Sequence, residues 1–223
     1  MQPTTKYKVS EIFHSIEGEG KRAGIGATFI RLAGCNLRCT YCDTTYALTE
    51  SESTQMSLDE IMTKVRAAKT TRVTLTGGEP LISPGVQTLI DRLLQAGYEV
   101  NVETNGSVDV CVGADENIFF TMDYKLPSSG QTHMMLKENF ARLRSWDVLK
   151  FVVGSEDDVA HMINALPTLL PQDSKPFIYI GAVHNGYPLQ DLVKIILSTP
   201  ILKDARLQLQ FHKIIWDASQ RGV

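Results

Sequence analysis

The 223-residue sequence has no dense run of basic residues and no long apolar segment. Lys and Arg number 22 against 25 Asp and Glu, for a formal net charge of -3. Binding a nucleic-acid backbone needs a concentrated positive face that displaces counterions, so no nucleic-acid partner is expected. No stretch approaches the roughly 18 to 20 apolar residues of a membrane helix, and the opening MQPTTKYKVSEIF lacks an apolar leader region. The chain is therefore read as cytoplasmic, without a membrane partner. Internal repeats and low-complexity tracts are also missing. With 43% hydrophobic residues the chain can bury a sizeable core, so a single domain over residues 1–223 acting on a small molecule is the starting expectation.

Short β-favouring apolar runs recur at 27–32, 72–76, 98–103, 118–123, 148–153, 177–180 and 206–210. Amphipathic stretches at helical spacing lie between several of them. Leu58, Ile61, Met62 and Val65 form one stripe, preceded by Ser57 and Glu60 in a capping-box arrangement. Val86, Leu89, Ile90, Leu93 and Leu94 form a second, ending at Gly97; Val159, Met162, Ile163 and Leu166 a third; Leu189, Leu192, Val193, Ile196 and Leu197 a fourth. Alternating strands and helices imply an α/β fold with a parallel sheet, open or rolled into a barrel. In such folds the site gathers beyond the C-terminal strand ends, which is where GCNLRC, GGEP, TNG and YKLPSSG fall. The Ser/Thr/Glu-rich stretch 48–55 reads as a surface loop.

Cysteine is scarce, four in all, yet three fall within GCNLRCTYCDT, residues 34–44. In a reducing compartment such clustering points to metal ligands or redox groups rather than disulfides. Three readings compete for Cys35, Cys39 and Cys42. Their spacing is also helical, so a buried helix face is one, although Gly34, Asn36, Arg38, Thr40 and Asp43 are poor company for it. A structural zinc is another; it needs a fourth ligand, and nothing around Cys111 resembles a second half-site, so Cys111 reads as a packed thiol. The third is a [4Fe-4S] cluster on three thiolates, whose remaining iron is open to a small molecule.

The CxxxCxxC spacing, with Tyr41 before its last cysteine and GGEP after the second strand, resembles the radical S-adenosylmethionine (SAM) superfamily. The stretch IFHSIEGEGKRAGIGATFIRLAGCNLRCTYCDT further resembles the 7-carboxy-7-deazaguanine synthase family. TLTGGEPL, ETNGS, MDYKLPSSG and LQLQFHK extend that resemblance along nearly the whole chain. It implies a modified, incomplete TIM-like (β/α) barrel with parallel strands, and a homodimer. The implied reaction converts 6-carboxy-5,6,7,8-tetrahydropterin to 7-carboxy-7-deazaguanine, with hydrogen abstraction from C6, radical ring contraction and loss of ammonia. Its implied needs are a [4Fe-4S] cluster, SAM, Mg²⁺ and an electron donor such as a flavodoxin.

The resemblance also implies residue roles. Cys35, Cys39 and Cys42 would ligate the cluster and Thr44 the Mg²⁺, with no catalytic residue beyond cluster and cofactor. Tyr41, Asp43, Gly77, Gly78, Glu79, Glu103, Thr104, Asn105, Asp123, Tyr124 and Lys125 would bind SAM, Glu79 taking its ammonium. Ile16, Glu17, Gly18, Arg31, Thr76, His212 and Val223 would bind the substrate, Arg31 through its carboxylate. The family often has Gln where this chain has Glu17, and at the fourth strand-end segment only Lys125 is a firm match. Without the resemblance EGEG, residues 17–20, reads as a flexible acidic loop. A glycyl-radical activating enzyme shares the cysteine motif and is the rival enzyme; a zinc-stabilised binding module is the rival that is not an enzyme.

Overall fold

The computed structural model describes residues 5–110, 115–170, 173–217 and 220–223. Cys111 lies outside the described residues. In chain order the elements are β1 (Lys6–Ile16), β2 (Gly26–Leu32), β3 (Thr54–Ser57), α1 (Leu58–Ala67), β4 (Arg72–Gly77), α2 (Val86–Gln95), β5 (Glu99–Thr104), β6 (Ile118–Tyr124), α3 (Lys137–Ala141), β7 (Val148–Val153), α4 (Glu156–Leu169), β8 (Phe177–Ala182), α5 (Leu189–Ser198), β9 (Arg206–Gln208) and α6 (Phe211–Ile215).

One sheet runs in the order β3-β1-β2-β4-β5-β6-β7-β8-β9. From β2 to β9 every neighbouring pair is parallel. Successive strands stay adjacent without reversing, as in a barrel rather than a doubly wound sheet. The sheet keeps two edges, β3 and β9, so the barrel is incomplete. Across the gap the Gly20 amide donates to Gln208 Oε1 at 2.8 Å, tying the loop after β1 to the last strand.

All seven expected strands are present. Two strands that the sequence reading did not include, β1 and β3, pair antiparallel with β2 and β1. KYKVSEIFHSI alternates polar with apolar residues and buries only Tyr7 and Val9 fully. That is the pattern of a strand covered on one face, and it is easily read as merely polar. β3 takes in Thr54 and Gln55, the end of the expected surface loop.

The helices follow the sequence pattern. Ser57 and Glu60 form a reciprocal capping box at the start of α1, an arrangement that contributes about 1 kcal/mol. Ile61, Met62 and Val65 of α1, Leu89, Ile90 and Leu93 of α2, and Val159, Met162 and Leu166 of α4 are buried against the sheet. Each such side chain contributes roughly 1.5 to 3 kcal/mol on burial. The fourth stripe is only partly used: Leu192 of α5 is buried, whereas Leu197 is 81% exposed. Among the described residues no helix is long and apolar enough to cross a membrane.

Strand alternation sorts the side chains of β6 between the two layers. Met122 and Tyr124 are buried in the hydrophobic core, while Thr121, Asp123 and Lys125 face inward. The barrel interior is thus lined by Thr, Asp, Glu and Lys rather than by the branched apolar residues of a filled barrel. That polar lining makes room for a site.

Candidate active site

A cavity of about 820 Å³ opens at the C-terminal strand ends and extends down the barrel. It lies within the size range of small-molecule sites. The segment carrying Cys35, Cys39 and Cys42 is a loop after β2, not a helix, and all three half-buried thiols line the cavity. The buried-helix-face reading of these cysteines is therefore overturned. The Gly34 amide donates to Ala47 O at 2.8 Å and the Cys42 amide to Cys39 O at 3.2 Å, fixing the loop. Cys35 Sγ accepts from the Leu37 amide at 3.4 Å and from Asn105 Nδ2 at 3.9 Å.

Burial pushes the Cys35 and Cys39 thiols above their ordinary range, Glu79 adding to the effect at Cys35 and Lys125 opposing it at Cys39. A bound metal's charge reverses that cost by taking the thiolates. Among the described residues no three His, Cys, Asp or Glu side chains converge on the point a single ion would occupy. Three thiolates on one loop suit a cluster in which three of the irons take one thiolate each, whereas a structural zinc needs four ligands at one centre.

The GGEP turn is pressed onto this loop. A Cβ on Gly78 would stand 2.3 Å from Gly34 O and 2.6 Å from Cys35 Cβ, and one on Gly77, at φ +153°, 2.1 Å from Leu32 O. Only glycine permits this approach. Both glycines line the cavity. Glu79 follows the two glycines. It is 1% exposed, does not line the cavity, and accepts from the Leu81 amide at 3.0 Å, Thr104 Oγ1 at 2.9 Å and the Asn105 amide at 2.7 Å. Its carboxylate joins the β4 and β5 turns through three of its roughly four acceptor positions.

Glu103, Thr104 and Asn105 line the cavity at the end of β5, and Glu103 Oε2 accepts from Thr76 Oγ1 at 2.8 Å. Asp123 and Lys125 line it as well, paired at 2.9 Å. Tyr124 does not. Strand alternation turns its ring into an aromatic group with Phe140, Phe151 and His161. Tyr41 lines the cavity with its buried hydroxyl lacking a partner, and Asp43 and Thr44 follow on the rim, where Thr44 Oγ1 donates to Asp43 Oδ1 at 3.1 Å.

On the opposite wall Arg31 Nε pairs with Glu11 Oε1 at 2.7 Å, and Tyr46 donates to the same oxygen at 2.7 Å. Glu11 thereby aims the guanidinium along the wall. Ile16, Glu17, Gly18, Thr76, His212 and Val223 also line the cavity. A Cβ on Gly18 would stand 2.2 Å from His212 Nδ1, so the tail packs directly on the turn after β1.

Residues 29–124 match the model of the Radical SAM superfamily. A 7-carboxy-7-deazaguanine synthase of Clostridium acetobutylicum is 41% identical over 97% of this chain and 99% of its own length. One of Methanospirillum hungatei is 38% identical over 93% of this chain and 85% of its own. The chain belongs to the 7-carboxy-7-deazaguanine synthase family. The crystal structure of QueE from Escherichia coli, 24% identical, covers 91% of this chain and 92% of that one with a TM-score of 0.71, a likeness of fold.

Within this synthase-family barrel the sequence reading missed several inward residues. Lys150 of β7 forms ion pairs with Glu19 and, at 4.0 Å, with Asp123. A lone Lys in the apolar run VLKFVV was the available signal. Glu19 also accepts from Gln210 Nε2 at 2.8 Å, so EGEG is an anchored turn and not a free acidic loop. Arg22, Glu11 and Tyr46 left no trace in the sequence pattern, because their partners lie on other strands.

Proposed function

We propose that this chain converts 6-carboxy-5,6,7,8-tetrahydropterin to 7-carboxy-7-deazaguanine with release of ammonia, as a radical SAM enzyme. The carrying observation is one cavity lined by three half-buried thiols together with Glu17 and Arg31. It has room for cofactor and substrate together.

Cys35, Cys39 and Cys42 would hold the cluster. The backbone of Tyr41, Asp43, Gly77 and Gly78 would carry SAM beside it, with Glu103, Thr104, Asn105, Asp123 and Lys125 around its ribose and polar end. When bound, this pair supplies the one-electron cleavage that yields a hydrogen-abstracting adenosyl radical. The other roles belong to the protein. Arg31, oriented by Glu11, offers a planar fork to the pterin carboxylate. Thr44 would offer one oxygen to a Mg²⁺ ion, whose charge would help hold the substrate carboxylate. Ile16, Glu17 and Gly18 face the amine-bearing edge of the pterin, and a carboxylate suits its N–H donors. Thr76 contacts the ring. His212 and Val223 cover the mouth and exclude water. A one-electron donor such as a flavodoxin completes the cycle, and the working form is a homodimer.

The test is anaerobic incubation of the reconstituted, reduced protein with SAM, Mg²⁺ and the carboxypterin, followed by mass detection of the deazapurine. SAM cleavage without that product would leave radical chemistry and remove this substrate.

A further inference from the structure

Arg22 lies outside every role assigned so far, yet it is the most deeply buried cation in contact with the site. It is 4% exposed and sits at the bottom of the barrel, among the N-terminal strand ends. The route there follows from β1. That strand runs against the others, and its last residue, Ile16, pairs with Gly26 at the start of β2. The chain then crosses beneath the barrel before entering β2.

On that crossing Arg22 Nη2 donates to Glu17 Oε1 at 2.6 Å, to Thr74 Oγ1 at 2.7 Å and to Val73 O at 3.2 Å. Nη1 donates to Glu99 O at 3.3 Å, and the guanidinium lies 5.0 Å from the Phe119 ring centre. Thr74 Oγ1 also donates to Glu17 Oε1. Both bonds fall on one oxygen of Glu17, which is 2% exposed and lines the cavity. Oε2 is the oxygen left for a ligand.

We propose that Arg22 is a positioning residue: from beneath the barrel it holds Oε1 of Glu17, turns Oε2 to the substrate's N–H edge and favours the carboxylate over the acid. The proposal rests on the function given above. The charged surroundings make it necessary. Burial raises the Glu17 carboxyl and Glu103, on β5, raises it further; Arg22 and the Thr74 bond oppose them, leaving it at about 7. Glu99, on β5, is 3.7 Å from Arg22 Nη1; Lys21, on the same turn as Arg22, is over the Phe119 ring, and His212 packs on Gly18. None of these other groups touches the Glu17 carboxylate. Without the guanidinium Glu17 would hold its proton through the neutral range. A carboxylic acid would then present a donor to an edge that also donates.

The experiment compares wild type, Arg22→Gln, Arg22→Lys and Glu17→Gln by two readouts. Isotope-edited infrared spectra of the substrate-free protein, with Glu17→Gln as blank, follow the carboxylate itself, whatever the substrate is. In Arg22→Gln the titration midpoint is expected to rise by about one pH unit or more, and Arg22→Lys to return most of that shift. The activity readout is kcat/KM for the carboxypterin against pH. Ionised Glu17 is the competent form, so the acid limb moves to higher pH in Arg22→Gln and kcat/KM at neutral pH falls about fivefold or more. SAM cleavage without the pterin stays near wild type. A uniform loss at every pH with an unmoved infrared midpoint would make Arg22 merely structural and overturn the proposal. If Arg22→Gln does not fold, the double variant with Glu17→Gln decides. A folded double variant means that the Arg22 charge serves Glu17, and an unfolded one overturns the proposal. A moved midpoint in a protein with no carboxypterin turnover supports the Arg22 linkage and rejects the substrate reading alone.

Discussion

Lys213 Nζ lies 2.7 Å from Asp43 Oδ2, joining positions 170 residues apart. The pair fastens the tail segment carrying α6 to the cysteine loop, one residue beyond Cys42. Burial would raise the Asp43 carboxyl, but the Lys213 charge and hydrogen bond hold it down at about 2. Asp43 is 48% exposed, so water screens the pair and its worth to stability is under about 1 kcal/mol. Its consequence is positional. Lys213→Ala is expected to leave thermal unfolding nearly unchanged while KM for the carboxypterin rises several-fold. An unchanged KM would mean that the tail is held by other contacts.

The packing of Gly78 on Gly34 and Cys35 gives a second expectation. Gly78→Ala inserts a methyl group where backbone stands 2.3 Å away, so the cysteine loop must shift. Displacement of a reacting group by about 1 Å costs on the order of 100-fold in rate. SAM cleavage should fall on that scale in a protein that still folds. Cleavage at the wild-type rate would show that the loop accommodates the methyl group.

Glu79 separates two roles cleanly. Its three donors, from Leu81, Thr104 and Asn105, would be left stranded by Glu79→Ala. Loss of a buried, multiply bonded carboxylate costs about 3 kcal/mol, measurable by denaturant unfolding. A variant of native stability with weakened SAM binding would instead assign Glu79 to the ligand.

Thr44→Val removes one hydroxyl from the rim and keeps the shape of the side chain. SAM cleavage should be nearly preserved, and the Mg²⁺ stimulation of product formation lost. An undiminished response to Mg²⁺ in the variant takes Thr44 out of the ion's site.

The parallel strands and the helices α1, α2 and α4 were legible because their apolar periods are long and local. The cysteine loop was legible because its spacing carries chemistry, whereas the GG turn and Lys125 were found through the family resemblance. β1 was not, since a strand covered on one face alternates and resembles polar coil. Nor were the separate fates of Asp123 and Tyr124, which a shared segment resemblance joins and strand alternation divides. Lys150, Glu19 and Arg22 owe their roles to partners on distant strands, which no local pattern encodes. α3 and α6, of five residues each, are too short to show a period.

The most direct measurement is the electron paramagnetic resonance spectrum of the reconstituted, reduced protein, recorded before and after SAM is added. Three thiolates and one open iron give a [4Fe-4S]⁺ signal that changes when SAM binds, in a protein with about four irons per chain. That signal should be missing in Cys39→Ala. A wild-type spectrum with no cluster signal, or with one indifferent to SAM, would contradict the open iron and with it the proposed chemistry.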